Sequence, residues 1–293
     1  MKTFQIFLAL FFVIVMASCV SPSKKIVETP RKNIGLQMYS LRGPIGDPAI
    51  GIDSVIKAVG GMGYKFVENF GYGEGLTYGL SPKDLKAKFD SVGVSILSTH
   101  VRKDLPDKKT KENLAALWAW WDKCIADHKA MGAQLIVMPS MPTPETLKGL
   151  KEYCDYYNAI GEKCNAAGLK FGYHNHSFEF EKMYGKTVMY DYLVKNTDPA
   201  KVFFQLDVYW CQKGGKKATE LFTAYPGRFL ALHIKDEQEL GVSGFMNFEE
   251  LFNNIGPSGA KYLIVEVERY ALPPIESVKQ SLDFLNKAEY VKW

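Results

Sequence analysis

Eight short apolar runs, rich in β-branched and aromatic residues, alternate along this chain with longer stretches of helical periodicity. The runs predict strands over residues 34–40, 65–70, 94–99, 134–139, 170–175, 202–208, 229–235 and 262–267. Strands that alternate with helices run parallel, and a parallel sheet must be covered by those helices. No glycine-rich phosphate loop follows the first run, so the pattern favours a closed (β/α)8 barrel over a doubly wound sheet.

Residues typical of helix ends separate the predicted strands. Asp53, Ser81, Thr143 and Asn247 stand at expected N-cap positions, and Gly63, Gly93, Gly132 and Gly168 stand between a helical stretch and the next strand. No linker or break in composition divides this region. We therefore predict a single (β/α)8 TIM barrel over residues 33–293.

The segment before the barrel has the features of a targeting sequence. Lys2 precedes an apolar run over residues 4–16, which is shorter than the about 20 residues of a membrane-spanning helix. The run ends in a Met-Ala-Ser-Cys sequence that resembles the bacterial lipobox, where the leader is cut and the new N-terminal cysteine is acylated. We predict a signal peptide over residues 1–18, lipidation of Cys19 and a polar tether over residues 19–32.

These features predict an exported lipoprotein, anchored by lipid to a membrane of the bacterial cell envelope on the periplasmic side. A plain secretory leader with an incidental cysteine is the alternative.

Charge and cysteine content exclude other classes. The chain has 36 Lys and Arg against 32 Asp and Glu, a net charge of +4 without a basic run, so we expect no nucleic-acid partner. Four cysteines follow Cys19; Cys154 and Cys164 lie in one helical pattern, roughly 15 Å apart and beyond disulfide reach. We expect the four to be buried free thiols. The sequence leaves a homo-oligomer open.

Polar side chains collect at the carboxyl ends of the predicted strands, where the active sites of (β/α)8 enzymes lie. They include Gln37, Tyr39, Glu68, His100, His174, His176, Asp207, Trp210, His233, Lys235, Glu266 and Glu268. Alternate residues of a strand share a face, so Asp207, His233, Glu266 and a histidine of the fifth strand are predicted to converge. Two carboxylates and two imidazoles suit one divalent ion such as Mn²⁺, Zn²⁺, Co²⁺ or Fe²⁺.

Five motifs resemble the xylose isomerase-like TIM barrel superfamily, in its sugar phosphate isomerase/epimerase group, over essentially the whole mature chain. They are Gln37-x-Tyr39-Ser40-Leu41-Arg42, His174-Asn175-His176-x-Phe178-Glu179-Phe180, Asp207-x-Tyr209-Trp210, His233-x-Lys235-Asp236 and Glu266-x-Glu268. The superfamily includes ketose 3-epimerases, inosose dehydratases and endonuclease IV. Five histidines in the whole chain are too few for the three-metal site of the endonuclease.

The resemblance implies one divalent metal held by a glutamate, an aspartate, a histidine and a second glutamate on the last four strands. Asp207, His233 and Glu266 match the last three ligands. His174 stands where the first glutamate is implied, and His176 matches a histidine of the dehydratase members. Whether His174, His176 or Glu179 completes the metal shell stays open.

The chemistry that the resemblance implies is proton abstraction next to a carbonyl, through an enediolate stabilised by the metal. Reprotonation gives an isomer or epimer, and loss of a β-leaving group makes the enzyme a dehydratase or lyase. Candidate catalytic residues are Glu266, His176, Glu68 and Lys235, and candidate substrate-binding residues are Gln37, Tyr39, His100, Trp210 and Glu268. A non-catalytic sugar-binding lipoprotein is the remaining alternative.

Overall fold

The computed structural model describes residues 32–293. The predicted signal peptide (1–18), the predicted lipidation site Cys19 and the predicted tether up to residue 31 lie outside the described residues. Lys32 is already docked on the barrel, because its Nζ donates hydrogen bonds of 2.7 and 2.6 Å to the carbonyls of Leu285 and Ala288.

Eight parallel strands close into a barrel, which confirms the predicted fold. The barrel strands are β1 (Ile34–Gln37), β2 (Phe66–Asn69), β3 (Ser95–His100), β4 (Leu135–Met138), β5 (Lys170–His174), β8 (Val202–Asp207), β9 (Ala231–Ile234) and β10 (Tyr262–Val265). They follow one another around the barrel in sequence order, and β10 pairs with β1 to close it. A small antiparallel pair, β6 (Met183–Tyr184) and β7 (Thr187–Val188), lies in the loop after β5.

The helices lie between the strands. They are α1 (Arg42–Gly46), α2 (Gly51–Met62), α3 (Pro82–Asp90), α4 (Lys111–Met131), α5 (Leu147–Ala167), α6 (Phe178–Glu181), α7 (Met189–Asn196), α8 (Val208–Lys213), α9 (Ala218–Ala224), α10 (Phe248–Asn253) and α11 (Pro274–Lys287), with 3-10 turns at Met38–Leu41 and Gly256–Ser258. Within residues 32–293, none of the helices combines the length and apolar character needed to cross a bilayer.

Two of the four predicted N-caps are confirmed and two are wrong. Ser81 caps α3 and Asn247 caps α10, each by accepting a backbone N–H three residues on. Asp53 lies inside the first turn of α2, where its negative charge interacts favourably with the helix dipole. It does not cap the helix, because the N-cap position is occupied by Ile50. Thr146 rather than Thr143 caps α5, since the intervening segment is held outside the helix by a hydrogen bond from the Tyr184 hydroxyl to a proline carbonyl.

A small apolar cluster fills the lower part of the barrel interior, separate from the large core between strands and helices. It contains Phe66, Leu97, Leu135, Val137, Phe203, Ala231 and Ile264. Gly35 and Gly172 make room for it, because a Cβ on either would lie within 2.5 Å of a phenylalanine ring. Side chains two residues further along a strand point the same way, so the residues above this floor face into the barrel mouth.

Candidate active site

Four side chains converge above the apolar floor, as the sequence predicted. His174 ends β5, Asp207 ends β8, His233 lies in β9 and Glu266 directly follows β10. One ligand atom from each lies within 4.8 Å of the others, and all four residues are buried. We call these four residues the ligand cluster.

Asp207 has an oxygen that is suited to a metal ion. Its Oδ1 accepts the backbone N–H of Trp210 at 2.8 Å, while its Oδ2 is buried without a hydrogen-bond partner among the described residues. The Oδ2 atom lies 3.9 Å from Nδ1 of His233. Desolvation raises the pKa of Asp207. A buried carboxylate oxygen without a partner is unfavourable, so this atom fits a cation ligand.

Glu266 contributes the charged carboxylate of the ligand cluster. Its Oε2 lies 3.0 Å from Nζ of Lys235 and 3.3 Å from Nδ1 of His233. Desolvation raises the pKa of Glu266, but the charges of Lys235 and His233 outweigh it and hold the pKa well below its usual value. Glu266 is therefore ionised at neutral pH.

Lys235 lies within ion-pair distance of three carboxylates. Its Nζ lies 2.5 Å from Glu268, 3.0 Å from Glu266 and 3.9 Å from Asp207, and only 2% of its surface is exposed. Desolvation lowers its pKa, but these three charges reverse the effect and raise it. Lys235 therefore neutralises these carboxylates and is not free to stabilise a substrate oxyanion.

Glu68 and Gln37 lie below the ligand cluster and do not line the cavity above it. Glu68 is fully buried, and its Oε1 lies 2.6 Å from Nε2 of His233. Gln37 donates to Glu68 at 2.8 Å and accepts the N–H of Tyr39 at 3.0 Å. Both polar ends of Gln37 are therefore occupied within the barrel.

A cavity of about 420 Å³ opens above the ligand cluster. It is lined by Tyr39, Phe70, Gly71, Tyr72, His100, Arg102, Pro139, His174, His176, Glu266 and Glu268. Of the predicted substrate-binding residues, Tyr39, His100 and Glu268 lie on this wall. Trp210 stands behind it, with its ring 5.7 Å from the ring of His176 and 4.9 Å from Nζ of Lys235.

His176 lies just beyond β5 at the edge of the cavity. Its Nδ1 is buried without a hydrogen-bond partner among the described residues. Desolvation lowers the pKa of His176 to about 4, so the imidazole is neutral at pH 7. A neutral ring at the edge of the cavity is able to accept a proton.

Neither loop glutamate joins the ligand cluster. Glu179 is buried and accepts hydrogen bonds from the Tyr173 hydroxyl at 2.6 Å and from the backbone N–H of His176 at 2.8 Å. Desolvation raises the pKa of Glu179 to about 8. Glu181 is exposed. The structure therefore groups His174 with the other three ligand residues, and Glu179 instead fixes the loop that carries His176.

Sequence reasoning missed two groups of residues. Ser98 and Gln205 contact Glu68 from neighbouring strands, and their alternation with His100 and Asp207 was the available signal. Phe70, Tyr72 and Arg102 belong to loops, whose paths the strand pattern does not specify. Their closeness to the ends of β2 and β3 was the only indication.

The sequence of this chain matches the model of a known protein family. The sequence model of the family described as "Xylose isomerase-like TIM barrel" matches residues 56–288, which is most of the chain. The chain belongs to this family. A separate search of curated proteins finds no match to the chain.

Several solved structures are also similar to this chain. A sugar phosphate isomerase/epimerase from Parabacteroides distasonis is 34% identical, with a TM-score of 0.80 over 88% of this chain and 99% of that protein. A second protein of the same description and organism is also 34% identical, with a TM-score of 0.82 over 91% and 97%. A D-allulose 3-epimerase from Methylomonas sp. shares the fold, at 13% identity and a TM-score of 0.67 over 88% and 98%.

Proposed function

We propose that this xylose isomerase-like barrel is a divalent-metal-dependent sugar isomerase or epimerase that acts on a carbonyl-bearing carbohydrate through an enediolate. The ligand cluster carries the proposal, because two imidazoles and two carboxylates, one with a free buried oxygen, sit at the floor of an open cavity. The descriptions of the 34%-identical proteins support the sugar isomerase or epimerase class.

His174, Asp207, His233 and Glu266 would hold one ion of Mn²⁺, Zn²⁺, Co²⁺ or Fe²⁺. When bound, such an ion acts as a Lewis acid that stabilises negative charge developing on a carbonyl oxygen of the substrate. Lys235 keeps Glu266 ionised within this cluster.

We assign proton transfer to Glu266 and His176. Both line the cavity, Glu266 as a carboxylate and His176 as a neutral imidazole with a free Nδ1. We assign no proton transfer to Glu68, because both of its oxygens already accept hydrogen bonds below the cluster. Tyr39, Phe70 and Tyr72 form an apolar wall on which a sugar ring can pack.

A lyase or dehydratase acting on a keto-sugar is the second candidate. The presence of His174 at the fifth-strand position favours it, since the remaining acid/base pair is unlike: a carboxylate on one side and an imidazole on the other. The neutral imidazole of His176 could take the α-proton, and the imidazolium so formed could then protonate the leaving group.

Solvent exchange tests the function directly. We expect the metal-loaded protein, incubated with a panel of free ketoses and keto-glycosides in D₂O, to place deuterium next to the carbonyl of its substrate. An epimerase or isomerase then yields a deuterated isomer, and a lyase yields an unsaturated product. Asp207→Ala is the control without the metal. Sugar binding by the loaded protein without any exchange would instead support the non-catalytic alternative.

We also infer from residues 1–19 that the protein is exported and anchored by lipid at Cys19. Because phosphorylated sugars are scarce outside the cytoplasm, we further infer that its substrates are unphosphorylated or oxidised sugars. The wild type should fractionate with membranes, whereas Cys19→Ala should not become acylated. A soluble wild-type protein that still carries residues 1–18 would contradict this, as would turnover confined to sugar phosphates.

A further inference from the structure

We propose that Glu68 is a positioning residue that fixes the tautomers of both histidines of the ligand cluster, contacting His233 directly and acting on His174 through Gln205. This inference rests on the proposed metal-dependent function. It assigns to Glu68 the task of orienting metal ligands rather than transferring protons.

Glu68 accepts hydrogen bonds from all sides of the barrel. Its Oε1 lies 2.6 Å from Nε2 of His233, 2.8 Å from Nε2 of Gln37 and 2.9 Å from Nε2 of His100, and its Oε2 lies 2.5 Å from Oγ of Ser98 and 2.8 Å from Nε2 of Gln205. An ionised carboxylate has only acceptors, so the four hydrogen-bond partners His233, Gln37, Ser98 and Gln205 must each present a donor. His100 is only a close contact of Glu68, since its Nε2 is hydrogen-bonded to Oε1 of Gln205.

The first consequence concerns His233. Its Nε2 must carry a proton to donate to Glu68. A metal would therefore displace the proton on Nδ1, since a ligand nitrogen must be deprotonated. Nδ1 is the atom that faces the cluster, at 3.3 Å from Oε2 of Glu266 and 3.9 Å from Oδ2 of Asp207. A carboxylate behind a metal-binding histidine fixes the ring orientation and makes the other nitrogen a stronger ligand.

The second consequence passes through Gln205. Because its Nε2 donates to Glu68, its Oε1 must point the other way as an acceptor. That oxygen lies 3.1 Å from Nδ1 of His174 and 2.9 Å from Nε2 of His100. His174 therefore carries its proton on Nδ1 and leaves Nε2 for the metal. A flipped amide would set the Gln205 oxygen against the Glu68 carboxylate, so the arrangement depends on Glu68.

A substitution of one atom tests the scheme. Glu68→Gln keeps the shape of the side chain but replaces one oxygen with a donor, so at least one of its four hydrogen-bond partners loses its acceptor. Loss of such an outer partner typically costs about 10- to 100-fold in metal affinity. Glu239→Gln is the matched control: Glu239 is also buried and accepts the N–H groups of Ala271 and Leu272, but contacts no member of the cluster.

Competition titration of Zn²⁺ against a coloured chelator provides the affinity. We expect Glu68→Gln to bind Zn²⁺ 10- to 100-fold more weakly than the wild type, and Glu239→Gln to bind as the wild type does. Equal affinity of Glu68→Gln and the wild type overturns this inference alone. A wild type that binds no divalent metal overturns the proposed function, and this inference with it.

A second measurement uses only the wild-type protein. In the zinc-loaded wild type labelled with ¹⁵N-histidine, we expect His233 to be metal-bound at Nδ1 and protonated at Nε2, and His174 to show the reverse. A purely structural role for Glu68 would not specify opposite tautomers for the two rings. Coordination of zinc through Nε2 of His233, or through Nδ1 of His174, overturns the proposal.

Discussion

At the scale of single residues, metal binding and proton transfer can be tested separately at Asp207 and His176. Asp207 and His176 each have a buried polar atom without a partner among the described residues. Asp207 lies within the ligand cluster, whereas His176 lies beside the cavity and outside it. The two residues should therefore respond differently to substitution.

His176→Phe should lower kcat for substrate-dependent deuterium exchange by about 10²- to 10⁴-fold, the range expected when an acid/base group is lost. Metal content should stay at the wild-type level, because His176 is not a member of the ligand cluster. Elemental analysis of the same preparation serves as the control. Loss of the metal from His176→Phe would contradict this assignment and indicate that His176 is a ligand.

Cysteine illustrates how much a residue type predicts by itself. Cys124, Cys154, Cys164 and Cys211 are free and buried, which confirms the expectation of buried free thiols. Burial raises the pKa of the Cys154 and Cys164 thiols to about 12. These thiols are core side chains without a role in the proposed chemistry.

At the scale of secondary structure, close helix packing reverses a general rule. Ala is preferred to Gly inside a helix by about 1 kcal/mol. In α5, however, a Cβ on Gly161 would lie 2.1 Å from the carbonyl oxygen of Lys201, a backbone atom that cannot rotate away. In α2, a Cβ on Gly61 would meet nothing within 4 Å.

Gly161→Ala should therefore destabilise the protein by about 1–3 kcal/mol, as overpacking does. Gly61→Ala should stabilise it by about 0.5–1 kcal/mol. Urea denaturation of both variants beside the wild type measures the two changes. A stabilised Gly161→Ala variant would show that the contact between α5 and the loop before β8 leaves room for a methyl group.

His128 makes α4 sensitive to acid. It is fully buried, with its Nδ1 at 2.7 Å from the Cys124 carbonyl oxygen and its ring 4.9 Å from that of Tyr72. Desolvation lowers its pKa from 6.5 to about 4. Below pH 6.5 the unfolded chain therefore binds a proton at His128 that the folded protein does not bind, and stability falls as the pH falls towards 4.

This linkage amounts to about 2 kcal/mol at pH 5 relative to neutral pH. His128→Phe keeps the aromatic contact and removes the titration. The free energy of unfolding of His128→Phe should thus decrease by about 2 kcal/mol less than that of the wild type between pH 7 and pH 5. Identical losses in the two proteins would show that His128 is protonated in the folded state.

The strands were predictable because each is an apolar run of restricted length, and all eight were found. Their ends were less predictable. The first run, at residues 34–40, gives a strand only to Gln37, because Met38–Leu41 turns into a 3-10 helix over the barrel mouth. Thr143 failed as an N-cap because Tyr184, about 40 residues away, holds the segment that follows it. Such contacts between distant segments are absent from local sequence patterns.

At the scale of the whole molecule, barrel topology predicted most of the site. Parallel strands bring their carboxyl ends together, so the convergence of Asp207, His233 and Glu266 followed from the pattern alone. The roles of Glu68 and Lys235 could not be predicted in this way, since they depend on hydrogen bonds and ion pairs between strands. The aromatic wall was also missed, because loops supply Phe70 and Tyr72.

The central claim is that the ligand cluster holds a divalent metal, and elemental analysis of the purified protein tests it most directly. We expect about one equivalent of a first-row transition metal in the wild type. It should be lost in both Asp207→Ala and Glu266→Ala, which remove the two carboxylate ligands. A wild type that contains no metal after purification and after reconstitution, or variants that retain it fully, would contradict the account.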